Sequence, residues 1–380
     1  MYLKQLNLTN YRNYKELNVQ FSPTINIFIG KNAQGKTNLL ESIYYLAFAR
    51  SHRTNNDRQL IYFDSPFAKV SSRIYKRQTS NVLELVTANR GKKASINHLE
   101  QKRLSAYIGQ LNVVLFSPEN LNLVKGSPAQ RRRFIDLEFG QIDNRYLTLL
   151  ARYQRLLKQR NTFLKKMSYQ KEPDFLYLEV LTRQLVEVAA TVIELRMKYV
   201  AHLEKLAQSI HFQISQQTEK LSFNYQTTNY DFKHKNDKQS VVDFLIEQFS
   251  KVQSREIKLG TTLLGPHRDD IVFEINGKDL QSFGSQGQQR SCVLSLKLAE
   301  IKLIKQVTKE SPILLLDDVL SELDSKRQAA LIEIIDEDIQ TFITTTDLAS
   351  VSKELKHQPT IFEVSNGNLV KKGVKNDPKQ

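Results

Sequence analysis

The run GKNAQGKT has the residue types and spacing needed to hold a polyphosphate. Gly30, Gly35, Lys36 and Thr37 fit G-x-x-x-x-G-K-[ST]; Lys31, Asn32, Ala33 and Gln34 lie between the glycines, and Asn38 follows. Glycines let successive backbone N–H groups curl around phosphate oxygens. A helix starting at this point adds partial positive charge. In such a loop Lys36 reaches the β- and γ-phosphates, and the Thr37 hydroxyl ligates Mg²⁺. A chance turn between strand and helix is the competing reading, and the flanks decide against it.

Nucleotide hydrolysis also needs a metal-holding carboxylate at a strand end, and SPILLLDDVLSELD, residues 311–324, supplies one. Ile313 to Leu316 form the continuous apolar run of a strand buried on both faces. Asp317 would hold Mg²⁺ through water, and Asp318 would orient or deprotonate the attacking water. A helix N-cap is the alternative use of these acids. A third stretch, FGSQGQQRS at 283–291, is polar and Gly-rich and runs directly into the apolar CVLSLKLAEIKLI. It reads either as a linker or as a helix N-terminus aimed at an anion, with Ser285, Gly287 and Gln288 at its start.

The elements that must position these groups are legible around them. Ile25, Ile27 and Ile29 sit in a β-rich run before the glycine loop, and Leu39, Leu40, Ile43, Tyr44 and Ala47 recur at helical spacing after it. Asp317 lies 280 positions after Thr37, far more than a compact phosphate-binding fold needs, so a large insertion is expected. No glycine occurs between Gly140 and Gly260, and Pro173 is the one proline there. Leu178, Leu181, Leu185, Val188, Val192, Leu195 and Tyr199 make a heptad seam. Leu149, Tyr153, Leu156 and Phe163 follow a similar pattern, with Arg160 interrupting it. Two long antiparallel helices joined near KKMSYQKEP are expected, and their apolar stripes read as packing. The flanks are β-rich: Leu17, Val19 and Phe21 alternate, a hairpin is expected around Arg90-Gly91, and IVFEINGKDL carries an Asn-Gly turn. The expected class is α/β, a mixed sheet with helices, divided as 1–120, a helical arm 121–261, and 262–380. A disordered basic tail is expected from about residue 371.

The net charge of +15 and pI near 9.6 point to a polyanionic partner, nucleic acid or an anionic membrane surface. Cys292 is the single cysteine, which fits a reducing compartment. No signal-peptide block and no membrane-length apolar run is visible, so a soluble cytoplasmic protein is expected.

The order of glycine loop, inserted lobe, Ser-x-Gly-Gln-Gln-Arg (Ser285 to Arg290), ILLLDD and SELD (Ser321 to Asp324) resembles the ATP-binding cassette: Walker A, signature, Walker B and D-loop. Within that superfamily the chain is similar to the RecF family of bacterial DNA replication and repair ATPases. The resemblance spans nearly the whole chain: LNLTNYRNY, FSPENLNLVKGSPAQRRRFID (116–136), LLGPHRDDI (263–271), SQGQQRSCVLSLKLAE and TTTD (344–347) carry it. It implies a cassette-type ATPase head with an inserted all-helical arm, and an ATP-dependent homodimer that clamps DNA. It further implies action at gapped DNA, loading a recombinase with RecO and RecR partners. Residue by residue, Gly30 to Asn38 would bind ATP, and Thr37 and Asp317 would bind Mg²⁺. Ser285, Gly287 and Gln288 would contact ATP held by a second subunit, and Arg12 would also contact nucleotide.

The chain departs from the wider cassette pattern. The usual catalytic Glu is Asp318, whose shorter side chain suggests slow turnover suited to a switch. No glutamine follows NVVLF (112–116) directly, and Glu119 is the stand-in. The switch histidine is replaced by TTTD, making Asp347 either a sensor or a cap. For DNA, Arg131, Arg132 and Arg133 form the densest basic run; LLKQRNTFLKK (156–166) and the partly self-neutralised His267-Arg268 pair are weaker candidates. With no base-reading module, phosphate-backbone and shape recognition are expected. A transporter ATPase would not need the charge or the heptad pair and would carry a glutamate at the position of Asp318, and a chromosome-organising relative would need a far longer coiled coil. A P-loop kinase would leave the signature without a purpose. A clamp that binds ATP without hydrolysing it remains compatible with Asp318.

Overall fold

The structure is a computed structural model that describes residues 1–77, 79–169, 174–227, 238–320, 323–335, 339–348 and 358–372. Two compact units make up the chain: residues 1–121, 209–218 and 290–380 in the first, 122–208 and 219–289 in the second.

The first unit is built on a six-stranded sheet in the order Asn368–Lys372, Thr360–Ser365, Ile25–Ile29, Thr341–Thr345, Ile313–Asp317, Val113–Phe116. All neighbours run parallel except the edge hairpin formed by its first two strands. Every residue of Val113–Phe116, Ile313–Asp317 and Thr341–Thr345 is buried, which is why Val113–Phe116 and Ile313–Leu316 read as unbroken apolar runs and not as alternation; Thr341–Thr345 buries threonines as well. Asp317 pairs in register with Thr344, and Thr345 with Ile29, so three strands end level with one another. In open α/β sheets, ligands bind beyond such carboxyl ends. A second, antiparallel sheet runs Tyr14–Gln20, Tyr2–Tyr11, Phe67–Lys76, Thr79–Ala88, Gly91–Ile96, Leu99–Glu100. Its Thr79–Ala88/Gly91–Ile96 hairpin pairs Ala88 with Gly91, where the Arg90-Gly91 turn is expected.

The second unit is mainly helical. Residue pairs across two of its helices, Asn144–Met167 and Phe175–Ile214, run in opposite senses: Tyr146 meets Arg196, and Arg160 meets Thr182. The helices are therefore antiparallel; 170–173 of the expected joint lie outside the described residues. Leu178, Leu181, Leu185, Val188 and Val192 are buried as the heptad requires. Further on, Arg196 and Val200 are buried while Leu195 and Tyr199 are half-exposed. A straight helix drifts about 20° per heptad, so the buried stripe leaves a strict 3.5 repeat. Arg160 does not interrupt the seam. It lies in the buried face with Tyr146, Tyr153, Leu164 and Met167.

Three expectations need correction. The insertion is not all-helical: Leu221–Gln226 joins a three-stranded antiparallel sheet with Asp270–Ile275 and Lys278–Asp279. That pairing ties residues 262–289 to the second unit, so the first unit does not resume at 262. The Asn276-Gly277 turn connects Ile275 to Lys278, as its sequence predicts. Lys371 and Lys372 belong to an ordered strand; the rest of the basic tail, 373–380, is outside the described residues.

Candidate nucleotide site

The loop 30–35 leaves the strand Ile25–Ile29 and enters the helix Lys36–Phe48. Lys31, Asn32 and Ala33 are exposed, whereas Gly35 and Lys36 are buried. Gly35 has φ +114°, and a Cβ there would meet Asn13 Nδ2 at 2.6 Å and Tyr14 Oη at 2.9 Å. Only glycine satisfies both the backbone conformation and the close approach. Lys36 Nζ donates to the carbonyls of Gly30 at 2.6 Å and Lys31 at 3.0 Å, which holds the ammonium over the loop. Burial lowers its pKa, while the charges of Asp318 and Asp317 oppose that shift.

Thr37 Oγ1 donates to Asp317 Oδ1 at 3.0 Å, and Thr344 Oγ1 donates to the same oxygen at 2.8 Å. Mg²⁺ takes hard oxygen ligands, commonly one or two from the protein with the remainder from phosphates and water. The Thr37 hydroxyl and Asp317 carboxylate supply that donor set, so these residues fit the metal. Asp318 is exposed and has φ +55°; its amide donates to Thr344 Oγ1 at 3.0 Å. The left-handed conformation costs a non-glycine residue about 1–2 kcal/mol. It turns the chain sharply between the two acids, so that one is buried and the next is in solvent.

Asn38 Nδ2 donates to Asn13 Oδ1 at 2.8 Å and Asn38 Oδ1 accepts from Arg53 Nη1 at 2.8 Å. Arg12 grips Glu41 bidentately, Nε to Oε2 at 2.8 Å and Nη2 to Oε1 at 2.6 Å. Glu41 is fully buried on the helix that follows the loop. Burial by itself would raise its pKa, but hydrogen bonds from Arg12 and Ser51 and the charge of Arg12 hold it below the usual carboxylate range. Glu119 is exposed after Val113–Phe116, where Ser117 N–H donates to Asn120 Oδ1 at 2.8 Å. The Asp347 N–H donates to Thr345 Oγ1 at 3.1 Å, a local turn beyond the strand end.

In the second unit, Ser285 caps the helix Gln286–Thr308. Gln288 N–H donates to Ser285 Oγ at 3.2 Å, and Ser285 N–H to Gln288 Oε1 at 2.9 Å, a reciprocal box. Ser285 is exposed and Gly287 half-buried, so the capped helix start is open to an anion. Of the D-loop, Ser321 and Glu322 lie outside the described residues; Asp324 Oδ2 accepts from Arg327 Nη1 at 2.5 Å.

The basic run turns out differently from expectation. Arg131 is buried and forks onto Asp270, Nε to Oδ1 at 2.8 Å and Nη2 to Oδ2 at 2.7 Å. Arg132 Nη1 donates to the Asp269 carbonyl at 2.7 Å. Both guanidinium groups are held within the unit, Arg131 by the Asp270 carboxylate and Arg132 by the Asp269 backbone carbonyl. Arg131 is thereby withdrawn as a DNA contact, while Arg133 is half-buried. Asn13, Tyr14, Glu41 and Thr344 support the site without having been singled out. Their signals were the single acid on the helix after the loop for Glu41 and the polar turn NYRNY for Asn13 and Tyr14.

Comparison with known proteins agrees with this geometry. Residues 2–369 match the family model described as RecF/RecN/SMC N terminal domain. The DNA replication and repair protein RecF of Ligilactobacillus salivarius is 52% identical over 372 residues, 97% of each chain. That of Bacillus subtilis is 51% identical over 371 residues, covering 98% of this chain and all of the relative. A solved structure of the recombination mediator protein RecF with ATP, in the RecFOR pathway, superposes with a TM-score of 0.91 at 32% identity over 98% of both chains. Matched by the family model over residues 2–369 and by relatives more than 50% identical along nearly the whole chain, this chain belongs to the RecF family of DNA replication and repair proteins.

Proposed function

We propose that the chain is an ATP-gated DNA clamp of recombinational repair. The observation that carries this reading is the convergence of Lys36, Thr37 and Asp317 beyond three level strand ends. The backbone amides of Gly30 to Thr37, with Lys36, would neutralise the phosphates of ATP, and Thr37 with Asp317 would hold Mg²⁺. The bound metal would supply charge neutralisation at the β- and γ-phosphates. Asp318, exposed beside Asp317, would orient or deprotonate the attacking water; its short side chain makes turnover slow.

The exposed Ser285 at a capped helix start, with Gly287 and Gln288, would meet the γ-phosphate on a second copy of the chain. ATP binding would then drive dimerisation around duplex DNA at gaps or single-strand/double-strand junctions. Hydrolysis, stimulated by DNA, would reset the clamp. The net charge of +15 supports salt-dependent contacts to the phosphate backbone. The ATP-bound relative is named a recombination mediator of the RecFOR pathway, which supports RecO- and RecR-type partners for this chain. No helix among the described residues is long and apolar enough to cross a membrane.

The test is ATP hydrolysis with and without gapped duplex DNA, using wild type, Lys36→Met, Ser285→Arg and an equimolar mixture of the two variants. A shared site predicts that each variant is inactive alone and that mixing restores part of the DNA-stimulated rate, because a mixed dimer has one intact site. No recovery on mixing, with Ser285→Arg as active as wild type, would remove the shared site. ATP-dependent DNA retention without turnover would favour a non-hydrolysing clamp.

A further inference from the structure

The nucleotide loop is gripped from outside by two β-hairpin turns. The first joins Tyr2–Tyr11 to Tyr14–Gln20, with Arg12 at φ +52°. The second joins Thr360–Ser365 to Asn368–Lys372, with Asn366 at φ +48° and Gly367 at φ +74°. That Asn-Gly pair is the tight two-residue turn of the left-handed kind. The Gln34 carbonyl accepts from Gly367 N–H at 3.2 Å and from Asn13 Nδ2 at 3.2 Å. The Gln34 side-chain oxygen accepts from Asn366 N–H at 2.8 Å. One residue on, the Gly35 carbonyl accepts from the buried Tyr14 hydroxyl at 3.0 Å. Burial pushes the Tyr14 phenol up, so it keeps the proton that it donates.

A trans amide points its C=O and the following N–H in opposite directions, and no peptide bond among the described residues is cis. Fixing the Gln34 carbonyl outward therefore turns the Gly35 N–H inward, and fixing the Gly35 carbonyl does the same for the Lys36 N–H. We infer that Asn13 and Gly367 are positioning residues that orient the Gln34–Gly35 amide toward the nucleotide phosphates, with Tyr14 doing so for the Gly35–Lys36 amide. The inference rests on the nucleotide reading of the loop given above. Its physical content is preorganisation: donors already aimed at an anion lose little freedom on binding it.

Gly367 has a specific requirement here. A Cβ at this position would lie 2.4 Å from the Asn13 backbone oxygen, and its φ is left-handed. Alanine would therefore push the two turns apart at the place where both hold Gln34. Asn13 offers a cleaner lever. Asn13→Asp keeps the oxygen that accepts from Asn38, at 2.8 Å, but sets an acceptor where Gln34 needs a donor.

The experiment titrates a fluorescent ATP analogue into the full chain as wild type, Asn13→Ala, Asn13→Asp, Gly367→Ala, Tyr14→Phe and the non-binding control Lys36→Met. Steady-state hydrolysis and the nucleotide-free Tm are measured alongside. Loss of one orienting hydrogen bond should raise Kd about five- to tenfold. KM should rise with it while kcat stays within about twofold, because ground state and transition state use the same amides. Asn13→Asp should bind at least as weakly as Asn13→Ala, with the nucleotide-free Tm unchanged. Wild-type affinity in both Asn13→Ala and Gly367→Ala overturns the inference, since a loss confined to Asn13→Asp is charge repulsion. Weakening in Asn13→Ala matched by a fall in its nucleotide-free Tm overturns it as well, in favour of a folding role; Gly367→Ala lowers Tm through its own backbone strain and is read for affinity alone. If wild type itself fails to bind the analogue, the nucleotide reading falls and takes the inference with it.

Discussion

Thr37 Oγ1 and Asp317 Oδ1 lie 3.0 Å apart across 280 positions of chain. The sheet register brings them together: Asp317 pairs beside Thr344, and that strand pairs beside the one that feeds the glycine loop. Under the proposed function both side chains would offer hard oxygens to one Mg²⁺. Thr37→Ala and Asp317→Asn should each abolish the Mg²⁺ dependence of ATP binding, raising Kd about tenfold in Mg²⁺ and changing it little in EDTA. A titration with and without chelator checks this. Retained Mg²⁺ dependence in both variants would place the metal elsewhere.

Arg131 and Asp270 form a forked ion pair whose side chains are 6% and 19% exposed. Removing one partner leaves an uncompensated, largely buried charge, so Arg131→Ala should cost about 3 kcal/mol in chemical denaturation. DNA affinity of the remaining folded protein should stay within about twofold, as expected for a residue that makes no phosphate contact. An unchanged stability with a large loss of DNA affinity would return Arg131 to the DNA surface.

Arg160 and Glu256 pair at 2.6 Å with both side chains essentially inaccessible, and the guanidinium also lies 4.9 Å from the Phe249 ring centre. Glu256→Ala should destabilise by about 3–5 kcal/mol. The double change Arg160→Met/Glu256→Leu should recover most of that loss but not all. Glu256 Oε1 also accepts from Leu263 N–H at 2.8 Å, and that donor would be left unsatisfied at about 1–3 kcal/mol. Denaturation midpoints of the single and double variants measure the difference. A double variant no better than the single would show that the charges are not what matters.

Tyr153 and His267 share a hydrogen bond of 2.6 Å. Burial lowers His267 to about 4, opposed by its contact with the Thr262 carbonyl and reinforced by Arg268, Arg132 and Arg196. The unfolded imidazole titrates near 6.5, so below that pH the unfolded state takes up a proton that the folded state refuses. The stability contribution is therefore complete above about pH 6.5 and is lost progressively as pH falls toward 4. Between pH 7.5 and 5 the unfolding free energy should drop by about 2 kcal/mol from this residue. His267→Gln should flatten that part of the profile. An equally steep profile in the variant would assign the pH dependence to other groups.

The nucleotide site was legible because its chemistry demands local residue order. A backbone that curls around phosphate needs Gly30 and Gly35 at fixed spacing, and a strand buried on both faces before Asp317 needs an unbroken apolar run. The Asn276-Gly277 hairpin and the leucine seam after Phe175 are local in the same sense. By contrast, the partners of Gln34, Glu41 and Asp317 come from hairpin turns, a neighbouring helix end and an adjacent strand. No spacing rule marks them, and the Asn366-Gly367 turn reads from sequence only as a turn.

Charge was the quantity that sequence misjudged. QRRRF looks like a surface for DNA, and HRDD like a pair that neutralises itself, yet Arg131 and Arg132 meet Asp270 and the Asp269 carbonyl. Arg160 looks like a break in an apolar seam, yet Glu256, Thr182 and Thr262 satisfy it inside. Composition gives the number of charges but not which of them pair, because pairing depends on three-dimensional distance and on the cost of removing each ion from water. The sequence alone determined the glycine loop, the strand ending in two acids and the family. The tertiary structure decided which cations are spent on holding the fold, and which neighbouring groups hold the Gln34 and Gly35 carbonyls of the loop.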